Sequence, residues 1–311
     1  MNLHHAVATY RGHTVPHFKI IQRRNVWFLL SGVVILLSLV GIFVRHFNLS
    51  IDFEGGQEIT YTFVTPVTAD DVQGVLLDDG VQNAEVQIVN GTGVSIRGES
   101  LTADTRESDA LLNDLAAQAG IDRTDISSTD VGPTWGKEIS RKALIGLVVV
   151  LAAIALYIAF RFEWKMAIGA MVALAHDLLI TAGVYALTGR EVTPETVIAI
   201  LTILGFSLYD TVVIYDKVQE NTESTALVSK YGYSEVVNMS MNQVFMRSVN
   251  TSLVVLLPIL SLLLFGGSTL KDFAFAMFIG VLTGAYSSIF VAAPVLTILK
   301  EREPRYRQLQ E

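Results

Sequence analysis

Residues 143–160 read ALIGLVVVLAAIALYIAF, with no charged side chain, and they lie between Arg141-Lys142 and Arg161. A helix rises about 1.5 Å per residue, so a run of this kind extended by a turn crosses a hydrocarbon core about 30 Å thick. Counted outward to 139–160, it has counterparts at 26–44, 166–187, 196–215, 248–265 and 273–299. Six transmembrane helices are expected. The first run starts late, has no small-x-small cleavage site and exceeds the ~7–15 apolar residues of a signal peptide, so it too is read as a span. Composition agrees, because only 17% of the 311 residues are charged, against about 25% in soluble domains. The absence of cysteine excludes disulfides, iron–sulfur clusters, cysteine-containing zinc sites and cysteine nucleophiles. A net charge of −8 argues against a nucleic-acid partner, which normally meets a basic excess.

Lysine and arginine set the expected orientation. Arg11, Lys19, Arg23 and Arg24 precede the first span, and Lys300, Arg302, Arg305 and Arg307 follow the last. The 161–165 turn and the 217–230 loop fall on the same side when six spans are threaded, whereas the opposite short loops hold only Arg190 and Lys271. The positive-inside bias then places both termini in the cytoplasm. The expected organisation is a cytoplasmic tail over 1–25, a first span over 26–44, an extracytoplasmic domain over 45–138, and five further spans with a cytoplasmic tail over 139–311. The external segment carries 17 acidic against 5 basic side chains. Its pattern predicts strands at 58–64, 84–89, 94–97 and 124–131, a helix capped by Thr68 and running through Leu77, and an amphipathic helix over 105–119 stopped by Gly120. Asn90-Gly91-Thr92-Gly93 marks a hairpin. The order βαββαβ is the ferredoxin-like split-βαβ arrangement. With His46 as its only histidine, the segment offers no catalytic set, and a docking or transmission role is expected.

The chemistry is carried by polar residues within the spans. His176 and Asp177 fall in the third, Asp210 in the fourth and Arg247 at the cytoplasmic start of the fifth. Each such charge costs at least ~2.5–3.5 kcal/mol on insertion scales, so these groups are expected to face a bundle interior and to be paired. Gln243, Arg247, Asn250 and Thr251 share one face of the fifth helix, Asp177 and Thr181 form an i, i+4 stripe on the third, and Ser207 adds a hydroxyl on the fourth. Arg247 is within reach of Asp210. A carboxylate–guanidinium pair whose spacing changes can take up a proton on one side and release it on the other. The same pair can equally be a static bridge. The adjacent His176 and Asp177 are the weaker relay candidates, since neighbouring side chains point about 100° apart. Gly280, Gly284 and Ser288 repeat every four residues in the sixth helix, a small-residue face for close helix packing, and Pro258 and Pro294 are candidate kinks.

No Walker-type loop is present, so no direct use of ATP is expected. Tyr209-Asp210 lacks the accompanying G-x-G-D of an intramembrane aspartyl protease. His176-Asp177 lacks the further histidines of an HD phosphohydrolase, the other five preceding residue 47. The chain is therefore not expected to be an enzyme, nor to hold a metal or cofactor.

Gly205-Phe206-Ser207-Leu208-Tyr209-Asp210-Thr211-Val212-Val213-Ile214-Tyr215-Asp216-Lys217 resembles the fourth-helix signature of the SecF family. Asn242-Gln243, Arg247-Ser248, Thr251-Ser252, His176-Asp177, the 52–56 stretch and Val131-Gly132-Pro133-Thr134-Trp135-Gly136 match in the same order. The resemblance implies the membrane subunit that pairs with SecD beside the SecYEG channel of a bacterial inner membrane. There the two chains make a twelve-helix unit related to RND transporters and use a proton or sodium gradient to help late-stage preprotein export at the outer face. It further implies that Asp210 and Arg247 belong to the ion relay, completed by an acidic residue of SecD, that the external domain moves with the ion cycle, and that ATP is used by the separate SecA motor. Half of an RND-type lipid or drug exporter is the alternative. A receptor or scaffold would instead tolerate joint neutralisation of Asp210 and Arg247.

Overall fold

The computed structural model describes residues 15–64, 66–81, 84–89, 92–98, 101, 105–304 and 306. Arg11, the hairpin positions Asn90 and Gly91, and Arg305 and Arg307 lie outside the described residues. In chain order, leaving aside the two-residue strands Asn48–Leu49 and Glu191–Val192, the α-helices and strands are α1 (Arg24–Val40), α2 (Ile51–Glu54), β1 (Gly56–Thr62), α3 (Ala69–Asp78), β2 (Glu85–Val89), β3 (Gly93–Gly98), α4 (Thr105–Ala119), β4 (Ser127–Val131), α5 (Pro133–Arg161), α6 (Trp164–Thr188), α7 (Pro194–Glu223), α8 (Thr225–Tyr231), α9 (Tyr233–Phe265), α10 (Ser268–Ser287) and α11 (Ala293–Lys300). Leu49–Leu144 form one compact unit and the flanking chain forms another.

The smaller unit is a four-stranded sheet in the order β2-β3-β1-β4, every neighbouring pair antiparallel. Alternation along β1 sends Ile59 and Tyr61 to one face, where they meet Val94 and Ile96 of β3, Val72 and Leu76 of α3, and Leu111, Leu112 and Leu115 of α4. Burial in this core pushes the Tyr61 hydroxyl up to about 12. Glu58 is on the other face and stands opposite Arg97. Its Oε1 accepts from Arg97 Nε at 2.9 Å and from Ser95 Oγ at 2.7 Å. Gly55 and Gly56 adopt φ of +80° and +122°, a turn that favours glycine. A Cβ on Gly136 would lie 2.7 Å from the Phe53 carbonyl oxygen, so the first turn of α5 packs directly on that backbone. The last strand begins at Ser127 and not at 124, because a 3₁₀ turn occupies Arg123–Asp125.

Thr68 caps α3 in a capping box: its Oγ1 accepts from Asp71 N–H, and Asp71 Oδ2 accepts from Thr68 N–H at 2.9 Å. The Thr68 hydroxyl also donates to Oδ2, at 2.6 Å. These bonds hold the Asp71 carboxyl below its ordinary value. The stability it lends is present above the ordinary aspartate range and is lost as pH falls through the lowered value. Protection of the amides at the start of α3, measured against the intrinsic exchange rate at each pH, is therefore expected to fall in acid for the native chain, and Thr68→Ala, which keeps the backbone bond to Asp71, is expected to weaken that pH dependence.

Among the described residues, six helical stretches are long and apolar enough to cross a membrane: Ile21–Arg45, Thr134–Arg161, Trp164–Thr188, Pro194–Glu223, Tyr233–Phe265 and Leu270–Lys300. The protein is a polytopic helical membrane protein. α6, α7 and α10 form the interior, while α5 and α9 leave large apolar side chains such as Phe160 and Leu257 exposed. The fifth span differs from the apolar run at 248–265: helix already exists at Tyr233, because Asn238 and Asn242 are satisfied by tertiary partners. Asn238 Oδ1 accepts from Ile20 N–H and Ile21 N–H. Asn242 exchanges two hydrogen bonds with the Phe18 backbone, at 2.7 and 2.9 Å. The segment before α1 is thereby laced to α9. Nearby, Lys300 is only 2% exposed, paired with Glu163 at 2.7 Å and placed over the rings of Tyr233 and Tyr306.

α9 continues unbroken through Pro258. The sixth span instead changes winding before Pro294, with a π-helical turn over Ser288–Ala292. Its small-residue face packs on α7. A Cβ on Gly280 would lie 2.1 Å from Ile203 Cδ1, and one on Gly284 would lie 3.0 Å from Ser207 Cβ. Ser288 Oγ donates to the Ser207 carbonyl at 3.2 Å and shares a 2.9 Å hydrogen bond with Thr211 Oγ1.

Candidate functional site

α7 begins with a Thr193–Thr196 capping box and Pro194 in its first turn, signals that start a helix cleanly. It carries Asp210 into the bundle, where the residue is 3% exposed. Ser248 Oγ of α9 donates to Asp210 Oδ1 at 2.6 Å. The other oxygen, Oδ2, is buried and has no hydrogen-bond partner among the described residues. A buried carboxylate oxygen left open in this way is costly, and it is the least satisfied acidic atom in the spans.

Arg247 is not ion-paired with Asp210, and no ion pair of Arg247 occurs among the described residues. The reason is helical geometry. Adjacent residues point about 100° apart; Ser248, 1% exposed, faces α7, and Arg247 faces outward from this chain. The rest of the stripe divides. Gln243 is exposed and accepts from Asn221 Nδ2 at 3.0 Å. Thr251 donates to the Arg247 carbonyl of its own helix, and Asn250 keeps a buried Oδ1 without a partner among the described residues.

His176 and Asp177 come together despite being neighbours in sequence. His176 Nδ1 lies 3.1 Å from Asp177 Oδ1, and the two are 3% and 1% exposed. Asp177 Oδ2 accepts from Ser207 Oγ of α7 at 2.7 Å and from Ser287 Oγ of α10 at 2.8 Å. Thr181 is buried one turn away, its hydroxyl without a partner among the described residues. Ser248 and Ser287 are the hydrogen-bond partners of Asp210 and Asp177 that the sequence did not single out; both follow a motif position by one or a few residues, and only helix rotation selects them. Asp216, near the end of α7, makes a half-exposed pair with Arg161 at 2.9 Å. Among the described residues no group of three or more His, Asp and Glu side chains is placed to hold a metal ion.

Residues 112–302 match the family described as protein export membrane protein SecD/SecF, C-terminal, and residues 40–67 match the SecD/SecF GG motif. Protein translocase subunit SecF of Streptomyces coelicolor is 38% identical, over 94% of this chain and 80% of that protein. The subunit of the same name from Mycobacterium tuberculosis is 43% identical, over 92% and 67%. The crystal structure of SecDF from Thermus thermophilus, a translocon-associated membrane protein, superposes with a TM-score of 0.84 at 34% identity. That match covers 92% of this chain but 39% of the other, so the chain spans about two fifths of the fused protein.

Proposed function

The chain belongs to the SecF family of protein translocase subunits, and we propose that it pairs with a SecD chain to couple an ion gradient, proton or sodium, to late-stage preprotein export at the outer face of the membrane. In this reading both termini are cytoplasmic, the membrane is the bacterial inner membrane, and the six spans are half of an RND-type unit working beside SecYEG. The unit Leu49–Leu144 is then the external domain over residues 45–138, and its strand order supports the ferredoxin-like arrangement. The observation that carries the coupling role is Asp210, a buried carboxylate with one oxygen unpartnered and no guanidinium bound to it among the described residues. Arg247, facing outward from the same level of α9, is available to a neighbouring subunit, and an acidic group of SecD is its natural partner.

In vesicles containing this chain, SecD and the channel, export is expected to proceed faster with an imposed proton or sodium gradient than after the gradient is collapsed by an ionophore. Equal rates under both gradients and under none would overturn the coupling role.

A further inference from the structure

The coupling reading needs only Asp210, yet the interior holds a second ionisable constellation of different chemistry. Asp177 Oδ2 accepts two hydroxyl hydrogen bonds, from Ser207 and Ser287, and its Oδ1 lies 3.1 Å from His176 Nδ1. Hydroxyl hydrogen bonds donated to a carboxyl group favour its ionised form. No cation balances it except its neighbour, because among the described residues the only ion pair made by either side chain is the one between them. With a neutral imidazole the pair would carry a full buried negative charge, which is strongly unfavourable in the low-dielectric interior of a membrane protein.

The imidazole is built to remove that charge. Its Nδ1 is committed to Asp177, while Nε2 is buried without a partner among the described residues. The ring stacks on Tyr286 with centroids 5.8 Å apart and planes inclined by 21°, an aromatic face that favours a cation. Tyr286 is itself anchored: its hydroxyl donates to the Trp27 carbonyl and lies 3.1 Å from Ser31 Oγ, both on α1. The groups that face the pair are therefore Ser31 and Trp27 by way of Tyr286, Ser207 from α7, and Ser287 and Tyr286 from α10. Asp210, three residues beyond Ser207, is engaged by Ser248, and Lys300 of α11 by Glu163.

We propose that His176 and Asp177 form a second proton-binding site in the membrane unit, with His176 Nε2 as the atom that receives the proton. Uptake converts a carboxylate beside a neutral ring into an imidazolium–carboxylate pair, and the proton belongs to the pair as a unit. Because Ser287 immediately precedes the π-helical turn Ser288–Ala292, the site also touches the one point where the sixth span changes its winding. The use made of the site rests on the coupling reading; its existence does not.

The test is ring-nitrogen NMR of the full chain in lipid bilayers with labelled histidine, the His176 signal being identified by its loss in His176→Gln. The expected result is a neutral ring protonated on Nδ1 at high pH that becomes doubly protonated as the pH is lowered. Asp177→Asn should lower the midpoint by about one pH unit or more, since an opposite charge favours the cation, and Asp210→Asn should leave it in place. A ring that stays neutral throughout overturns the proposal without reference to any variant, as does a midpoint unmoved by Asp177→Asn in a folded chain. Loss of gradient dependence from export, with the ring still titrating, would sink the coupling reading and leave this site standing.

Discussion

Asp210→Asn is expected to reduce export to the level measured without a gradient, while leaving the chain folded and able to assemble with SecD. The two halves of that expectation have different physical origins. Asparagine keeps a side-chain oxygen to accept the 2.6 Å bond from Ser248, and it removes a buried ionisable group whose Oδ2 has no partner among the described residues. Packing and stability therefore have no reason to fall, and replacing a poorly satisfied buried charge by a neutral isostere is commonly neutral or stabilising. What disappears is the ability to bind and release an ion. The measurement is export into vesicles with and without the gradient, together with recovery of the SecD complex. Gradient-dependent export that survives in the variant would make Asp210 a packing residue and move the coupling site elsewhere.

Gly183→Ala is expected to be the most damaging small substitution in the membrane unit. A Cβ at this position would lie 2.1 Å from Ser38 Cβ and 2.4 Å from Ser38 Cα, so the obstacle includes the backbone of α1. A side chain at the point of contact could rotate away; a helix axis cannot. Overpacking of this kind costs about 1–3 kcal/mol, occasionally more, and here the relief available is a shift of α1 away from α6. Thermal unfolding of the purified chain should show a lowered midpoint. Gly205→Ala, where an added methyl meets nothing within 4 Å, is the control and should leave the midpoint unchanged. Equal behaviour of the two variants would mean that α1 and α6 do not pack as described.

Much of the architecture was legible before any coordinates. An uncharged run such as 143–160 has one low-energy environment, and the helix through it, Pro133–Arg161, extends beyond the run at both ends. The Thr68 cap and Gly120, which has φ +69°, were readable because capping and left-handed backbone are local chemistry. Local signals failed where a distant partner changed the outcome. The polar start of the fifth span is helical because Phe18, Ile20 and Ile21 occupy its asparagines. The π-helical turn at Ser288–Ala292 has only Pro294 as a sequence hint.

The candidate site divides along the same line. Composition and spacing by themselves established that ionisable groups sit in apolar spans and that few residue types are available for the work, since solvation energy depends on residue type and depth alone. Which of those groups meet was decided only by tertiary structure. Asp210 is bound by Ser248 and not by its neighbour Arg247; Asp177 gathers Ser207 from one helix and Ser287 from another; and His176 turns back to the residue beside it. A step of one residue rotates a side chain by about 100°. Helix rotation, set by contacts as close as Gly183 on Ser38 and Gly280 on Ile203, is a property of the packed bundle that no single helix carries in its own sequence.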